Sequence, residues 1–292
     1  MTTQFKAIGI IAKHNDPQVI DTVRALYKLL AARRVKLVVD ENVLAYMPQD
    51  TLTCVDVHDM HKEIDLAIVV GGDGTLLAVA QSMLSYDIPI IGINRGRLGF
   101  LTDILPDNMQ QDLNQILDGE YFEEKRAVLS ATIRRDKQLL TQRYAINDIV
   151  AHALTGVRII DLETNINGEF LNALRADGLI VSTPTGSTAY ALSGGGPIVH
   201  PTAQNTILVP ICPHTLSNRP IVVDNSSQIE IIYSATNTLK GVAAIDGQIV
   251  SELEPNDSIT IEKSAKPLIL IQPNSYSFFN VLRKKLNWSQ QP

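Results

Sequence analysis

Apolar runs and helically spaced apolar positions alternate along the first third of the chain. A short apolar run such as 7–11 is typical of a strand buried on both faces, whereas Val19, Val23, Leu26 and Leu30 recur at helical spacing. The sequence predicts, in order, strand 7–11, helix 19–30, strands 35–39 and 64–70, helix 76–84, strand 88–93 and helix 109–117. This alternation favours a parallel sheet covered by helices.

From about Tyr121 onwards the pattern changes to alternating apolar and polar positions, as at 128–133. Asn167-Gly168 is a hairpin signal between two of the short strands. Strands are predicted at 145–150, 158–164, 169–174, 178–182, 206–211, 229–233, 242–245, 258–262 and 267–271, with one helix near 187–193. The second part therefore reads as an all-β, sandwich-like domain.

Helical spacing returns at the end of the chain, at Phe279, Leu282 and Leu286. A last helix after an all-β region must bury its apolar face, and we expect it to return to the first domain. The prediction is an α/β domain over 1–120, completed by 272–292, and a β-rich domain over 121–271.

Composition narrows the classes of function. Lys and Arg number 25 and Asp and Glu 31, a net charge of −6 that argues against a main role on nucleic acid or anionic membranes. No apolar run approaches the roughly 18 residues of a membrane span, and the first residues lack a signal-peptide pattern. We expect a soluble, cytoplasmic protein whose two cysteines, Cys54 and Cys212, are reduced and buried.

The segment Gly71-Gly72-Asp73-Gly74-Thr75 lies where a buried strand leads into a helix. Glycines there let backbone amides approach an anion, and a helix N-terminus favours phosphate. An acidic residue in such a cradle suits either a magnesium ion or the acceptance of a proton from an attacking hydroxyl. The alternative is a tight turn in which Asp73 caps the helix. The segment matches neither the P-loop nor the dinucleotide GxGxxG pattern.

A second glycine-bearing loop, Asn94–Phe100, follows the next strand. Because the carboxyl ends of parallel strands share one edge of a sheet, the two loops are expected to face one crevice. Arg95 and Arg97 could supply cations for a polyphosphate, or could simply be solvated.

Three further groups of polar residues interrupt the β-rich part. Ser182–Tyr190 is dense in hydroxyls and suits a sugar, base or phosphate, or equally a helix cap. Asn147-Asp148, Asp177 and Asp246–Gln248 either bind ligand groups or stabilise turns, and a turn is favoured for each alone. The pair His58 and His61 belongs to an ordinary polar surface.

Taken in order, these blocks resemble the NAD kinase family. Gly71–Thr75 is similar also to 6-phosphofructokinases and diacylglycerol-type lipid kinases, so the more specific blocks lie elsewhere. They are Asn94–Asp103, Ser182–Tyr190 with Leu192-Ser193 and Gly195–Ile198, His214–Ser217 with Arg219-Pro220, and Asp246–Gln248.

The resemblance implies that the first domain is nucleotide-binding and the second substrate-binding, and it implies roles for individual residues. Asp73 would be the catalytic base for the 2′-hydroxyl of the adenosine ribose, with Gly74 at the substrate. The phosphates would be held by Gly71, Gly72, Thr75, Asn94, Arg95, Gly96 and Gly99. Asn147 and Asp148 would bind ribose hydroxyls, and Asp177 the nicotinamide amide. The adenine end would lie against Thr188, Ala189, Tyr190, Ala191, Leu192 and Ser193. Arg158, Arg175 and Gln248 would lie near the substrate.

The activity implied is a phosphotransferase that moves the γ-phosphate of ATP to NAD, giving NADP, with Mg²⁺ or another divalent cation, in a homo-oligomer (dimer or tetramer). Asp148 stands where the family usually has glutamate, which makes that contact less secure. Arg175 occupies a variable position, so polyphosphate as donor and NADH as acceptor stay open. Two alternatives remain: another kinase of the superfamily, acting on a lipid or sugar phosphate, or a dinucleotide-binding regulator without catalysis.

Overall fold

The computed structural model describes residues 4–14, 16–47, 52–95, 98–154 and 159–288. The chain divides into two compact units, one of Met1–Lys125 with Leu268–Pro292 and one of Arg126–Pro267. These bounds lie a few residues from those that the periodicity predicts.

Helices and strands follow the alternation expected in the first unit and are almost entirely strands in the second. In chain order they are β1 Ala7–Ala12, α1 Pro17–Ala32, β2 Lys36–Val39, α2 Glu41–Tyr46, β3 Thr53–Cys54, β4 Leu66–Gly71, α3 Asp73–Met83, β5 Ile90–Asn94, α4 Pro106–Leu117, β6 Tyr121–Arg126, β7 Leu129–Arg135, β8 Gln138–Ala145, β9 Asp148–Ala153, β10 Ile160–Ile166, β11 Glu169–Ala176, β12 Gly178–Ser182, α5 Tyr190–Ser193, β13 Asn205–Ile211, β14 Ile221–Asp224, β15 Ile229–Tyr233, β16 Gly241–Ile245, β17 Gln248–Leu253, β18 Ser258–Lys263, β19 Leu268–Pro273 and α6 Phe278–Leu286.

The first unit is built on a seven-stranded sheet of order β3-β2-β1-β4-β5-β19-β6. Its pairs β1 with β2 and β4, β2 with β3, and β5 with β4 and β19 are parallel. Strand β4 is buried along its whole length, as its unbroken apolar run predicts for a sheet covered on both faces. Helix α1 starts behind an Asp16 cap with Pro17 in its first turn and buries its apolar stripe.

The C-terminal segment returns to the first unit, which confirms that expectation. Strand β19 lies between β5 and β6 in the sheet, and α6 follows it. The buried face of α6 is Phe278, Val281 and Leu282, whereas Phe279, predicted to be buried, is 56% exposed. The two adjacent phenylalanines make the phase of this short helix ambiguous in sequence.

The second unit consists of two six-stranded sheets, in the orders β11-β10-β15-β18-β7-β8 and β14-β13-β12-β9-β16-β17. Their inward side chains form one apolar core with members from both sheets, so the predicted sandwich-like, all-β class is confirmed. The turns Asn167-Gly168 and Asp246-Gly247 have positive φ at both residues, as two-residue hairpins require.

Several expectations need correction. The single helix near 187–193 is a 3₁₀ turn, Thr185–Thr188, followed by the one-turn helix α5. Both cysteines are free but exposed, so the expected burial is wrong. Across the described residues, no helix combines the length and the apolar character needed to cross a bilayer.

Candidate active site

Asp73 lies at the junction between a buried strand and a helix. Strand β4 ends at Gly71, Gly72 is the residue before the helix, and Asp73 is the first residue of α3. Gly72 has extended backbone angles and no side chain that could accept a hydrogen bond, so it does not cap the first amides of α3. The sequence therefore places a carboxylate beside a helix N-terminus at the carboxyl edge of the sheet.

The Asp73 carboxylate binds the loop that follows β5. Its Oδ2 accepts a hydrogen bond from the amide of Phe100 at 2.8 Å. Its Oδ1 accepts from the amides of Leu101 and Thr102, both at 3.0 Å, and from the Thr102 hydroxyl at 3.1 Å. These partners lie 27 to 29 residues away in sequence, so Asp73 fixes a distant loop. The alternative interpretation, in which Asp73 caps α3, does not describe these hydrogen bonds.

The two glycine-bearing loops of the first unit are in direct contact. The amide of Arg95 donates to the carbonyl of Gly71 at 3.1 Å. Asn94 is buried, and its Nδ2 donates to the Thr102 hydroxyl at 2.9 Å. A Cβ on Gly99 would lie 2.0 Å from Asp73 Oδ1, so no larger residue fits there. The two loops therefore lie next to each other, as their positions after neighbouring parallel strands predict.

The glycines of the Gly71–Thr75 segment differ in what surrounds them. A Cβ on Gly71 would lie 2.7 Å from the Thr75 hydroxyl oxygen, so packing alone accounts for that glycine. A Cβ on Gly72 or Gly74 would meet nothing within 4 Å, and neither has a positive φ. Packing within the described residues does not require glycine at these two positions, so their amides are open to the surroundings.

Part of the predicted phosphate loop and one predicted substrate residue lie outside the described residues: Gly96, Arg97 and Arg158. Arg95 is described, and its Nε donates to the carbonyl of Gln18 at 2.6 Å. That bond holds the stem of the guanidinium group against α1.

A cavity of about 650 Å³ lies in the second unit, on the outer face of the sheet that contains β9 and β12. This volume is within the range of small-molecule and cofactor sites. Its walls are Asn147, Asp148, Val150, His152, Ala153, Asp177, Ala189, Tyr190, Ile211, Ala244, Asp246, Gly247 and Ile249. The structure therefore brings five of the predicted residues together: Asn147, Asp148, Asp177, Ala189 and Tyr190.

His152 lines this cavity and was not predicted from sequence. It shares one face of β9 with Asp148 and Val150, at the two-residue period of a strand, and that spacing from Asp148 could have indicated it. Its Nδ1 lies 2.8 Å from the carbonyl oxygen of Ala153, so the ring donates there and presents Nε2 as an acceptor when neutral.

The other described residues predicted to bind substrate in the second unit do not line the cavity. Ala191 is buried in an apolar cluster with Ile180 and Val209. The hydroxyl of Thr188 donates to the carbonyl of Thr185 within its own turn. Also outside the lining are Leu192, Ser193, the exposed Gln248, and Arg175, whose Nε lies 3.9 Å from Asp161 Oδ1. Their binding roles stay predictions.

Two aspartates of the cavity have opposite environments. The Asp246 carboxylate accepts three backbone amides, those of Ile146 at 2.9 Å, Asn147 at 2.7 Å and Asp148 at 3.1 Å. Asp148 is 4% exposed, and no described residue donates a hydrogen bond to its carboxylate. Burial, and secondly the charge of Asp246, raises the pKa of Asp148 to about 7. Asp246 thus stabilises the backbone, as its turn position predicts, while Asp148 is left to bind a hydrogen-bond donor.

Among the described residues, no group of three or more His, Cys, Asp and Glu side chains could hold a metal ion. His58 and His61 do not form such a site either: His58 Nδ1 lies 3.1 Å from the Ser82 hydroxyl, and the His61 ring stacks on Tyr86.

Comparison with known families decides the assignment. The ATP-NAD kinase N-terminal domain matches residues 8–121, and the ATP-NAD kinase C-terminal domain matches residues 146–272. The chain belongs to the NAD kinase family. An NAD kinase of Nitrosococcus oceani is 44% identical over all of this chain and 99% of its own length. An NAD kinase of Pseudomonas fluorescens is 43% identical over 99% of this chain and 97% of its own.

Solved structures of the family share the fold. A yeast NADH kinase complexed with NADH matches with a TM-score of 0.90 at 23% identity, over 98% of this chain and 89% of its own. An NAD kinase from Archaeoglobus fulgidus in complex with ATP matches with a TM-score of 0.74 at 29% identity, over 95% of this chain and 98% of its own.

Proposed function

We propose that this protein is an NAD kinase, a phosphotransferase that moves the γ-phosphate of ATP to the 2′-hydroxyl of the adenosine ribose of NAD and produces NADP. Its membership of the NAD kinase family supports the reaction. The observation that carries the mechanism is the Asp73 carboxylate, fixed by three backbone amides beside a helix N-terminus.

The donor phosphates bind at the start of α3. The open surroundings of Gly72 and Gly74 let phosphate oxygens reach their amides, and the helix N-terminus attracts the negative charge. Gly71, Thr75, Asn94, Arg95, Gly96 and Gly99 form the rest of this phosphate site.

NAD occupies the cavity of the second unit. The Asn147 side chain donates to or accepts from a ribose hydroxyl, the Asp148 carboxylate accepts from ribose hydroxyls, and Asp177 accepts a hydrogen bond from the nicotinamide amide. A diol suits Asp148, because its hydroxyls supply hydrogen-bond donors that none of the described residues supplies. Tyr190, which is 47% exposed, presents a ring on which the adenine can stack. Arg158, Arg175 and Gln248 lie near the bound substrate.

Asp73 takes the proton from the attacking 2′-hydroxyl. A carboxylate has about four lone-pair positions, two on each oxygen. Among the described residues, three hydrogen bonds are donated to Oδ1 and one to Oδ2, so Oδ2 has the lone pair that can receive the proton. The loop bonds hold this oxygen in one orientation before substrate binds, which lowers the cost of alignment.

The Mg²⁺ ion that the family implies would be held in part by the phosphates of ATP. Mg²⁺ is usually held by one or two carboxylates together with substrate phosphates. When bound it neutralises phosphate charge. We further propose that the protein works in the cytoplasm as a homo-dimer or tetramer, which light scattering would measure.

One assay tests the function against its alternatives. Protein, ATP, Mg²⁺ and NAD are mixed, and NADP is detected with an NADP-specific dehydrogenase. We expect NADP to form in proportion to time and enzyme. Tight dinucleotide binding without product would identify a regulator, and absence of both would favour a kinase of another substrate. Parallel reactions with NADH and with polyphosphate define the acceptor and the donor.

A further inference from the structure

A second cavity, of about 200 Å³, lies between the two sheets of the second unit and is partly open to solvent. One wall comes from β10 and β11 of the first sheet, and the other from β12 and β13 of the second. The segment 217–221 closes one side.

Two buried polar atoms face this cavity without a partner. Thr164 is 1% exposed, and neither its Oγ1 nor the Oδ1 of Asn172 forms a hydrogen bond with any described residue. Thr164 and Asn172 are direct cross-strand partners in the register of β10 and β11, so their side chains stand together on the inward face. A buried group left unsatisfied costs about 1–3 kcal/mol, and such groups normally have a partner.

This cavity is separate from the candidate dinucleotide site. In the register of β12 with β13, Gly178 pairs with Ile211 and Leu179 with Pro210, so neighbouring positions point to opposite faces of the sheet. Ile211 lines the large cavity, whereas Leu179 and Pro210 line the small one. The two cavities therefore lie on opposite faces of the same sheet.

The chemistry of the walls selects a class of ligand. Leu174, Leu179 and Leu208 supply apolar surface around the polar pair. The charged residue of the lining, Arg219, is exposed, and its Nη1 donates to the carbonyls of Leu216 and Asn218, so the interior suits a neutral molecule. A cavity of about 150 Å³ lined by apolar residues is known to bind benzene, so the volume here accepts a single ring with a small head group.

We propose that this cavity is a binding site for a small neutral molecule with an apolar ring and a primary carboxamide head. The N–H of the carboxamide donates to Asn172 Oδ1, and its carbonyl accepts from the Thr164 hydroxyl. Both orphaned atoms are then satisfied, and the ring packs against the three leucines.

Titration of the full chain with benzamide tests the proposal. Methyl resonances are followed by NMR in the absence of ATP and NAD, so the outcome is independent of the kinase function. We expect saturable shifts at Leu174 and Leu208 that persist in Asp177→Ala, because benzamide resembles nicotinamide and can also enter the large cavity lined by Val150 and Asp177. Toluene, which lacks the head group, should bind at least tenfold more weakly.

The matched variant Thr164→Val with Asn172→Leu removes both polar groups while keeping similar volume. It should weaken benzamide binding at least tenfold and bind toluene instead. Thr164→Val alone serves if the double variant fails to fold. Absence of saturable shifts at Leu174 and Leu208 up to the solubility limit of benzamide, as a cavity filled only by water would give, overturns the proposal. Equal benzamide affinity in wild type and variant overturns it as well.

Discussion

Gly99 lies so close to Asp73 that a Cβ on the glycine would be 2.0 Å from the Asp73 Oδ1 atom. The same loop then turns back, with the Gly99 amide 3.2 Å from the carbonyl oxygen of Thr102. Glycine at position 99 is therefore a condition for the hydrogen bonds that fix the carboxylate.

The first prediction follows from that contact. Gly99→Ala pushes the Asp73 carboxylate out of its place, and because a displacement of about 1 Å can cost roughly 10²-fold in rate, we expect kcat to fall by about that factor. The dissociation constant of NAD, measured by calorimetry, should stay unchanged. A Gly99→Ala enzyme with normal kcat would show that the position of Asp73 is not critical.

The second prediction concerns Asp73 itself. General-base catalysis contributes about 10² to 10⁴ in rate, so Asp73→Ala should lose at least that much kcat. Since the variant also frees the amides of Phe100 and Thr102, Thr102→Ala serves as a control that removes the two hydrogen bonds of the Thr102 hydroxyl, to Asp73 and from Asn94, and keeps the base. Circular dichroism checks that both variants fold. Near-normal turnover of Asp73→Ala would refute the assignment of the base.

The third prediction separates packing from ligand binding. Gly74→Ala has room in the structure, and alanine has the better helix propensity, so the free energy of unfolding should be unchanged or rise by a few tenths of a kcal/mol. If phosphate approaches the Gly74 amide, the added methyl group should raise the KM for ATP. Urea denaturation and initial rates measure the two effects, and an unchanged KM would remove the ligand as the reason for this glycine.

The fourth prediction tests the aromatic wall of the NAD cavity. Stacking of a base on an aromatic side chain contributes about 1–3 kcal/mol, so Tyr190→Ala should raise the dissociation constant of NAD roughly tenfold or more. Tyr190→Phe keeps the ring and should bind NAD nearly as well as the wild type. Equal losses in both variants would assign the contribution to the hydroxyl instead.

The fifth prediction is a pH dependence caused by Asp148. Its pKa is about 7 in the folded protein against 3.8 for the ordinary side chain, so the folded state binds more protons than the unfolded state between these values. The free energy of unfolding of the ligand-free protein should therefore fall as the pH rises from about 4 to 7.

Asp148→Asn removes this titration and keeps the shape of the side chain. The variant should be more stable than the wild type at pH 8, by up to roughly 4 kcal/mol, and the difference should shrink towards pH 4. Urea unfolding across this range measures it. A difference that does not vary with pH would mean that Asp148 is not the group responsible.

Sequence patterns predicted those features that depend on local periodicity. The predictions of the buried strand β4 and of the apolar stripe on α1 were correct, because an unbroken apolar run is typical of a buried strand and a repeat of three to four residues is typical of a helix. The short helix α2 was missed, because six residues are too few to show a repeat. The break between the Thr185–Thr188 turn and α5 was also missed, since both halves carry similar small residues.

The candidate site was predicted in its residue types but not in its bonds. Glycines next to Asp73 indicated an anion site, yet the partners of its carboxylate lie in another loop, and no local pattern specifies them. The same holds for Asp246, whose turn is evident from Asp-Gly but whose three amide partners lie about 100 residues earlier. Long-range contacts of this kind arise from the tertiary fold.

The place of β19 between β5 and β6 has a consequence for synthesis on the ribosome. The sandwich, Arg126–Pro267, is continuous in sequence and can fold as soon as it leaves the exit tunnel. The unit that carries Asp73 cannot complete its sheet until β19 has been translated, because β19 is the strand between β5 and β6. Premature termination after Pro267 would thus release a chain with a finished sandwich and an incomplete catalytic half.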